Sequence, residues 1–418
     1  MKESILELEK AIGEVMDKAS AEGLDYFDMR FEICPAEVIY GFGAYGMPTR
    51  FAHWSFGKGY SRIKTEYDLN LSRIYEMVIN TDPCYAFLLD RNTLIQNKLI
   101  VGHALAHSDF FKNNAFFRST SRRMLDTMEA SARRIQDYEL SYEQKTVESF
   151  IDAVLSIQEH VNPYDRLSES VHSSGKGSRQ ETKDVLGYLK AHSPILDDWQ
   201  RDIVNIIREE TLYFWPQLET KILNEGWATF WHLRLLRRME LSEAETLELA
   251  VMQSELITPG RFRINPYHLG LRILESIEAH FGTEELWDVR ARENDVSLIR
   301  NYLTPELVDE LDLYLYRRVG YEWRVVDKNW HRIRDTLVQS LINGGHPYIV
   351  VMDGDFKGLG ELYLRHAYEG VELDVPYLER TLPHIHKLWS RTVHLETVLD
   401  EKTVQFSYDG ERIARSFL

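Results

Sequence analysis

The chain has 418 residues, a net charge of −17, 44% hydrophobic and 12% aromatic residues, and two cysteines. Its length allows two or three domains with sizeable cores, and its 9 tryptophans and 22 tyrosines point to aromatic-lined interiors. The acidic balance argues against general nucleic-acid or anionic-membrane binding, and two cysteines build no disulfide framework, so a reducing, cytoplasmic setting is expected.

The first segment reads as an acidic amphipathic helix ending near Gly23, with Ile5, Leu8, Ile12 and Val15 at helical spacing. It lacks the basic start and unbroken apolar core of a signal peptide. No apolar run approaches the ~20 residues of a spanning helix. Alternation from Phe27 to Tyr40 predicts a strand. Gly41-Phe42-Gly43-Ala44-Tyr45-Gly46 then matches GxGxxG, but Pro48, Arg50 and the Phe51–Trp54 aromatic string do not open the helix that a dinucleotide fold requires. The segment is therefore expected to be a loop using glycines for sharp turns.

Glu76–Ile79 and Cys84–Leu89 read as two strands around an Asn80–Pro83 turn. Asn92 or Thr93 caps a helix running to about Lys112, and a charged helical stretch follows from Asp126 to His160. Residues 162–184 have the composition of a flexible insertion. A helix from Asp197 to Tyr213 comes next, with Pro216 opening another that reaches Met239. Ser242 and Glu245 form a capping box for the next helix. Further helices are expected at Tyr267–Phe281, Thr283–Glu293, Thr304–Tyr316 and Trp330–Ile342. Strands at Tyr348–Met352, Glu361–His366 and Val404–Tyr408, with a helix from Val375 to Trp389, complete a small C-terminal α+β domain. Within it Asp353-Gly354-Asp355 is expected to be a β-turn, and His384, His386 and His394 are expected at the surface.

Two segments carry chemistry. In Val101-Gly102-His103-Ala104-Leu105-Ala106-His107 the histidines stand four apart, on one face of the predicted helix. Gly102 costs roughly 1 kcal/mol of helix propensity against Ala, which is tolerable where another backbone comes close. In Leu223-Asn224-Glu225-Gly226-Trp227-Ala228, Glu225 lies near Thr229 and His232 on a helix apolar on nearly all other sides. A carboxylate buried there must be paired, neutralised or metal-bound. Two imidazoles and a distant carboxylate form the ligand set of a His₂Glu site. His103, His107 and Glu225 are thus the predicted ligands of a divalent metal, zinc by chemistry, with iron or manganese as alternatives.

A zinc peptidase carries a glutamate after its first histidine to take the proton of the metal-bound water. Here Ala104 stands there. Asp109 lies about 200° round the helix from His107 and points away. The candidate acid–base residues are therefore His232, Glu66 and His53.

The segments Glu32–Arg50, Trp54–Lys58, Asn80–Tyr85, His107–Asn114 and Asn224–His232 resemble the stage V sporulation protein R (SpoVR) family of bacteria. The resemblance runs from about residue 20 to the C-terminal domain. It implies a link to formation of the spore cortex, a peptidoglycan layer, and partnership with a PrkA-type serine kinase and a von Willebrand-like protein. Asn224–Ala228 is also similar to the glutamate-ligand segment of gluzincin metallopeptidases.

The expected protein is α+β and mainly α-helical. A zincin-like helical core with a small N-terminal sheet would occupy residues 1–320, and an α+β domain residues 321–418. The expected activity is metal-dependent hydrolysis of amide-type bonds in a peptidoglycan-related molecule or a peptide. The alternatives are a non-catalytic scaffold working with the kinase, or a non-haem iron enzyme.

Overall fold

The computed structural model describes residues 2–68, 76–164, 181–258, 264–320 and 322–418. The expected insertion falls largely outside the described residues. The fold is α+β and mainly helical. It divides into two compact units, each discontinuous in sequence: Met1–Thr127 with Pro216–Ile342, and Met128–Trp215 with Asn343–Leu418. Among the described residues no helix is long and apolar enough to cross a membrane.

In the first unit β1 (Met29–Cys34) pairs in parallel with β3 (Cys84–Leu89), which pairs antiparallel with β2 (Glu76–Ile79). The expected Phe27–Tyr40 strand is shorter, because Pro35 stops it. Extended at φ −68°, ψ 157°, Pro35 starts the helix Ala36–Tyr45. The apolar spacing of Ala36, Ile39 and Tyr40 satisfies a helix as readily as alternation satisfies a strand, and Ile39 and Tyr40 are buried. The glycine-rich segment is therefore helical instead of a loop, and Gly46 ends it in the left-handed region at φ 77°. A second helix, Trp54–Asp68, follows in the aromatic stretch.

The helix Leu94–Asn113 begins at Thr93, whose side chain and that of Gln96 make a reciprocal capping box. Sixteen of its residues are buried, so it is a central element packed on all sides. Against it lie the helices Lys2–Ala21 and Lys221–Arg237, and the latter also packs on Pro266–Phe281. Val101, Leu105, Phe110, Leu223, Trp227 and Leu274 are among the buried residues of this core. The Ser242–Glu245 capping box forms as expected. The expected helix Thr304–Tyr316 ends at Glu310. Asp312 takes φ 51°, and the chain enters the hairpin β4 (Leu315–Val319) and β5 (Glu322–Asp327).

The second unit holds an open sheet in the order β10-β9-β8-β7-β6, antiparallel except where β7 meets β8. The strands are β6 (Ile349–Phe356), β7 (Glu361–His366), β8 (Val393–Leu399), β9 (Lys402–Tyr408) and β10 (Ile413–Phe417). The helix Val375–Trp389 packs on β8 and β9. Four further local expectations change. The Asp126–His160 stretch is two helices, Met124–Tyr142 and Gln144–Leu155, broken at Glu143 with φ 69°. Pro216 lies inside the helix Asp198–Glu219, and the break comes at Thr220. Asp353-Gly354-Asp355 belongs to β6 at a register shift, with the turn falling at Lys357–Gly360. His394 is buried, with Nδ1 2.7 Å from Ser407 Oγ and Nε2 2.9 Å from Glu361 Oε2.

Candidate metal centre

The centre lies in the first unit, between the helices Leu94–Asn113 and Lys221–Arg237. Burial on nearly every side of both helices brings His103 and His107 of one opposite Glu225 of the other. One ligand atom from each of the three can be chosen so that all lie within 4.8 Å of one another. Glu225 Oε2 stands 3.6 Å from His103 Nε2 and 3.5 Å from His107 Nε2. These distances exceed those of charge-assisted hydrogen bonds. They suit ligands of one ion: tetrahedral donors at ~2.1 Å from zinc stand ~3.4 Å apart. The histidine side chains are 5% and 9% exposed and that of Glu225 20%, so Glu225 is the least buried of the three.

The electrostatics follow from this packing. Burial raises the Glu225 pKa, but the imidazoles facing it lower it further, and its carboxyl lies well below the ordinary range. Burial, with His103 beside it, pushes His232 well below its usual value, so it is neutral. His107 Nδ1 lies 2.9 Å from Asn224 Oδ1. An amide oxygen only accepts, so Nδ1 carries a proton, and in the neutral ring this leaves Nε2, the nitrogen on the Glu225 side, as the one able to ligate an ion. His103 Nδ1 lies 2.9 Å from His232 Nδ1. Phe111 stacks near His107 and Tyr267 near His103, with ring centroids 5.9 and 6.2 Å apart.

Two glycines on these helices do different jobs. A Cβ on Gly226 would meet Gly270 Cα and C at 2.5 Å, so the glycine allows the helices Lys221–Arg237 and Pro266–Phe281 to touch backbone to backbone beside Glu225. A Cβ on Gly102 would find His232 Cα and Cβ at 3.5 Å, an ordinary contact. The close approach read from sequence at Gly102 is thus real but leaves room for a methyl group.

Of the predicted site residues, His103, His107 and Glu225 come together, and His232 joins them through His103. His53 is buried, with Nδ1 2.7 Å from Ser55 Oγ and its ring against Phe56. Glu66 lies on the helix Trp54–Asp68 with its side chain outside the described residues. Ala104, in the place of a peptidase's glutamate, is fully buried.

Sequence reasoning missed the groups that hold the centre in register. Asp109 is buried as the hub of a brace. It accepts hydrogen bonds from Trp227 Nε1 at 2.9 Å, Arg290 Nη1 at 2.6 Å and the Asp25 amide at 2.8 Å. Burial pushes its pKa up to about 6, with Arg290 opposing. Asp295 caps the glutamate helix, accepting from the amides of Ile222 and Leu223 at 2.8 and 2.9 Å. A signal for Asp109 existed in its position on an apolar helix, where a charge requires a partner. Asp295 and Asn224 carried none beyond their residue type.

The chain belongs to the SpoVR-like protein family. The family model described as SpoVR like protein matches residues 2–183 and 168–346, and that described as SpoVR-like C-terminal domain matches 347–400. A similar protein in Escherichia coli (strain K12), described as uncharacterized protein YcgB, is 26% identical over 475 aligned residues, covering 95% of this chain and 93% of the relative. No solved structure matches the chain.

Proposed function

We propose that this SpoVR-like protein binds one divalent cation, zinc by preference, at His103, His107 and Glu225, and hydrolyses an amide-type bond in a peptidoglycan-related molecule or a peptide. The observation that carries the metal assignment is the spacing of the three donor atoms, with Glu225 Oε2 3.5–3.6 Å from both Nε2 atoms. Bound there, the ion would supply Lewis acidity and a water of lowered pKa. The chain's own residues hold the two imidazoles in the ligating orientation, and the partly exposed Glu225 edge admits substrate. With Ala104 in the base's usual place, proton transfer falls to another side chain; the candidates are Glu66, His53 and His232, the last of which touches the ligand His103 directly.

The test is metal analysis of the purified protein together with the variants His103→Ala and Glu225→Gln. One equivalent of zinc, lost in both variants, is expected. Unchanged metal content in either would defeat the assignment. Turnover of muropeptides and peptides, abolished by Glu225→Gln, tests the hydrolase. Metal identity after anaerobic purification separates zinc from iron or manganese.

The buried alanine at position 104 favours a second reading, in which the ion is structural and the protein is a scaffold. That reading places it in spore-cortex formation with a PrkA-type serine kinase and a von Willebrand-like protein. It predicts a stable complex with the kinase and no turnover.

A further inference from the structure

His232 is wholly buried on the helix that supplies Glu225. Its Nδ1 lies 2.9 Å from Nδ1 of His103. At that distance the two nitrogens share a single proton: two lone pairs would repel, and two N–H groups would collide. The other nitrogen of His103, Nε2, faces Glu225 at 3.6 Å. A nitrogen that ligates cannot carry a proton. If Nε2 is the ligand atom, as the function proposed above requires, the proton of His103 sits on Nδ1 and His232 must accept it. The remaining proton of His232 then lies on Nε2, a buried atom without a hydrogen-bond partner among the described residues.

We propose that His232 is a positioning residue of the metal centre, whose Nδ1 accepts the Nδ1–H of His103 and thereby fixes the tautomer and aim of that ligand. Asn224 does the same for His107. The two histidines from one helix are thus each held by an acceptor from the other, and these acceptors flank Glu225 on its own helix. One helix supplies the carboxylate and both clamps, so its register sets all three donors together. In this role the Nδ1 lone pair of His232 is engaged and Nε2 carries a proton, so of the three candidate bases Glu66 and His53 remain.

The test is a pair of substitutions measured by zinc competition titration. His232→Leu fills the space but offers no acceptor, and is expected to weaken zinc binding by ~10–100-fold. His232→Asn restores an acceptor, as Asn224 provides for His107, and is expected to bind within a few-fold of the parent. Equal loss in both variants, or loss in neither, overturns the proposal. Long-range ¹H–¹⁵N correlation on ¹⁵N-histidine-labelled, zinc-loaded protein reads the tautomer of His232 directly. An unprotonated Nδ1 on His232 supports the assignment, and a protonated Nδ1 overturns it. A parent that binds no ion defeats the metal reading, and this proposal with it, before either variant is compared.

Discussion

Alanine substitutions at Gly226 and Gly102 should have opposite effects on stability, although both glycines sit on the helices that carry the candidate ligands. A Cβ at position 226 would lie 2.5 Å from Gly270 Cα and C, against 3.4–4 Å for ordinary contact. The obstacle is helix backbone, which cannot rotate aside, so the two helices must part by about 1 Å, an overpacking that costs ~1–3 kcal/mol or more. Alanine's better helix propensity offsets ~1 kcal/mol of that. The net expectation for Gly226→Ala is a loss of up to ~2 kcal/mol, with weakened zinc binding because the neighbouring residue is Glu225. At Gly102 the nearest atoms, His232 Cα and Cβ, stand at 3.5 Å. Gly102→Ala should therefore keep the helix-propensity gain, up to ~1 kcal/mol, and retain metal affinity. Urea denaturation and zinc competition on both variants measure this. A Gly226→Ala protein as stable and as zinc-competent as the parent would refute the claim that backbone contact at Gly226–Gly270 sets the position of the glutamate.

Other consequences can be measured in the same way. Asp295→Ala should cost ~1–2 kcal/mol by uncapping the glutamate helix, with Asp295→Asn milder because one acceptor remains; equal stability of Ala and parent would show that the cap is idle. Trp227→Phe removes a donor to the buried Asp109 and should lower stability by ~1–3 kcal/mol, detected as a shift of the urea midpoint. In the second unit, burial pushes His160 down to about 4, with His346 adding to the effect. The unfolded chain takes up this proton as pH falls through ~6.5 and the folded chain only near 4, so stability should fall with acidification by up to ~1.4 kcal/mol per pH unit. His160→Gln should remove that part of the slope between pH 6.5 and 5, and an unchanged slope would exclude His160 as its source.

Local chemistry was legible where the signal was itself local. Thr93 and Gln96, and Ser242 and Glu245, announce their helix starts because a capping box is closed within four residues. The strands around Asn80–Pro83 are equally plain. Pro216 misled because proline favours a first turn, yet this one sits near the end of a helix that breaks at Thr220. The glycine-rich segment misled because apolar residues at 36, 38 and 40 satisfy alternation while 36, 39 and 40 satisfy a helix, and only burial decides between them. The association of residues 128–215 with 343–418 was not legible, since packing between distant segments leaves no periodicity in either.

The candidate centre shows the same division more sharply. A ligand set can be proposed from sequence because metal chemistry restricts it to a few residue types, and a four-residue interval on a helix places two of them together. The supporting groups obey a looser rule: any acceptor of suitable reach can hold the far nitrogen of an imidazole. Asn224 and His232 fill that role with different side chains at different distances from Glu225, and Asp109 braces the same helix pair through an indole and a guanidinium. Such partners are defined by position in space and not by spacing along the chain. A His–x₃–His pair with a remote carboxylate therefore predicts where an ion could sit. Whether the imidazoles are held in the ligating tautomer depends on residues 224 and 232, and that can be read only once the two helices are seen side by side.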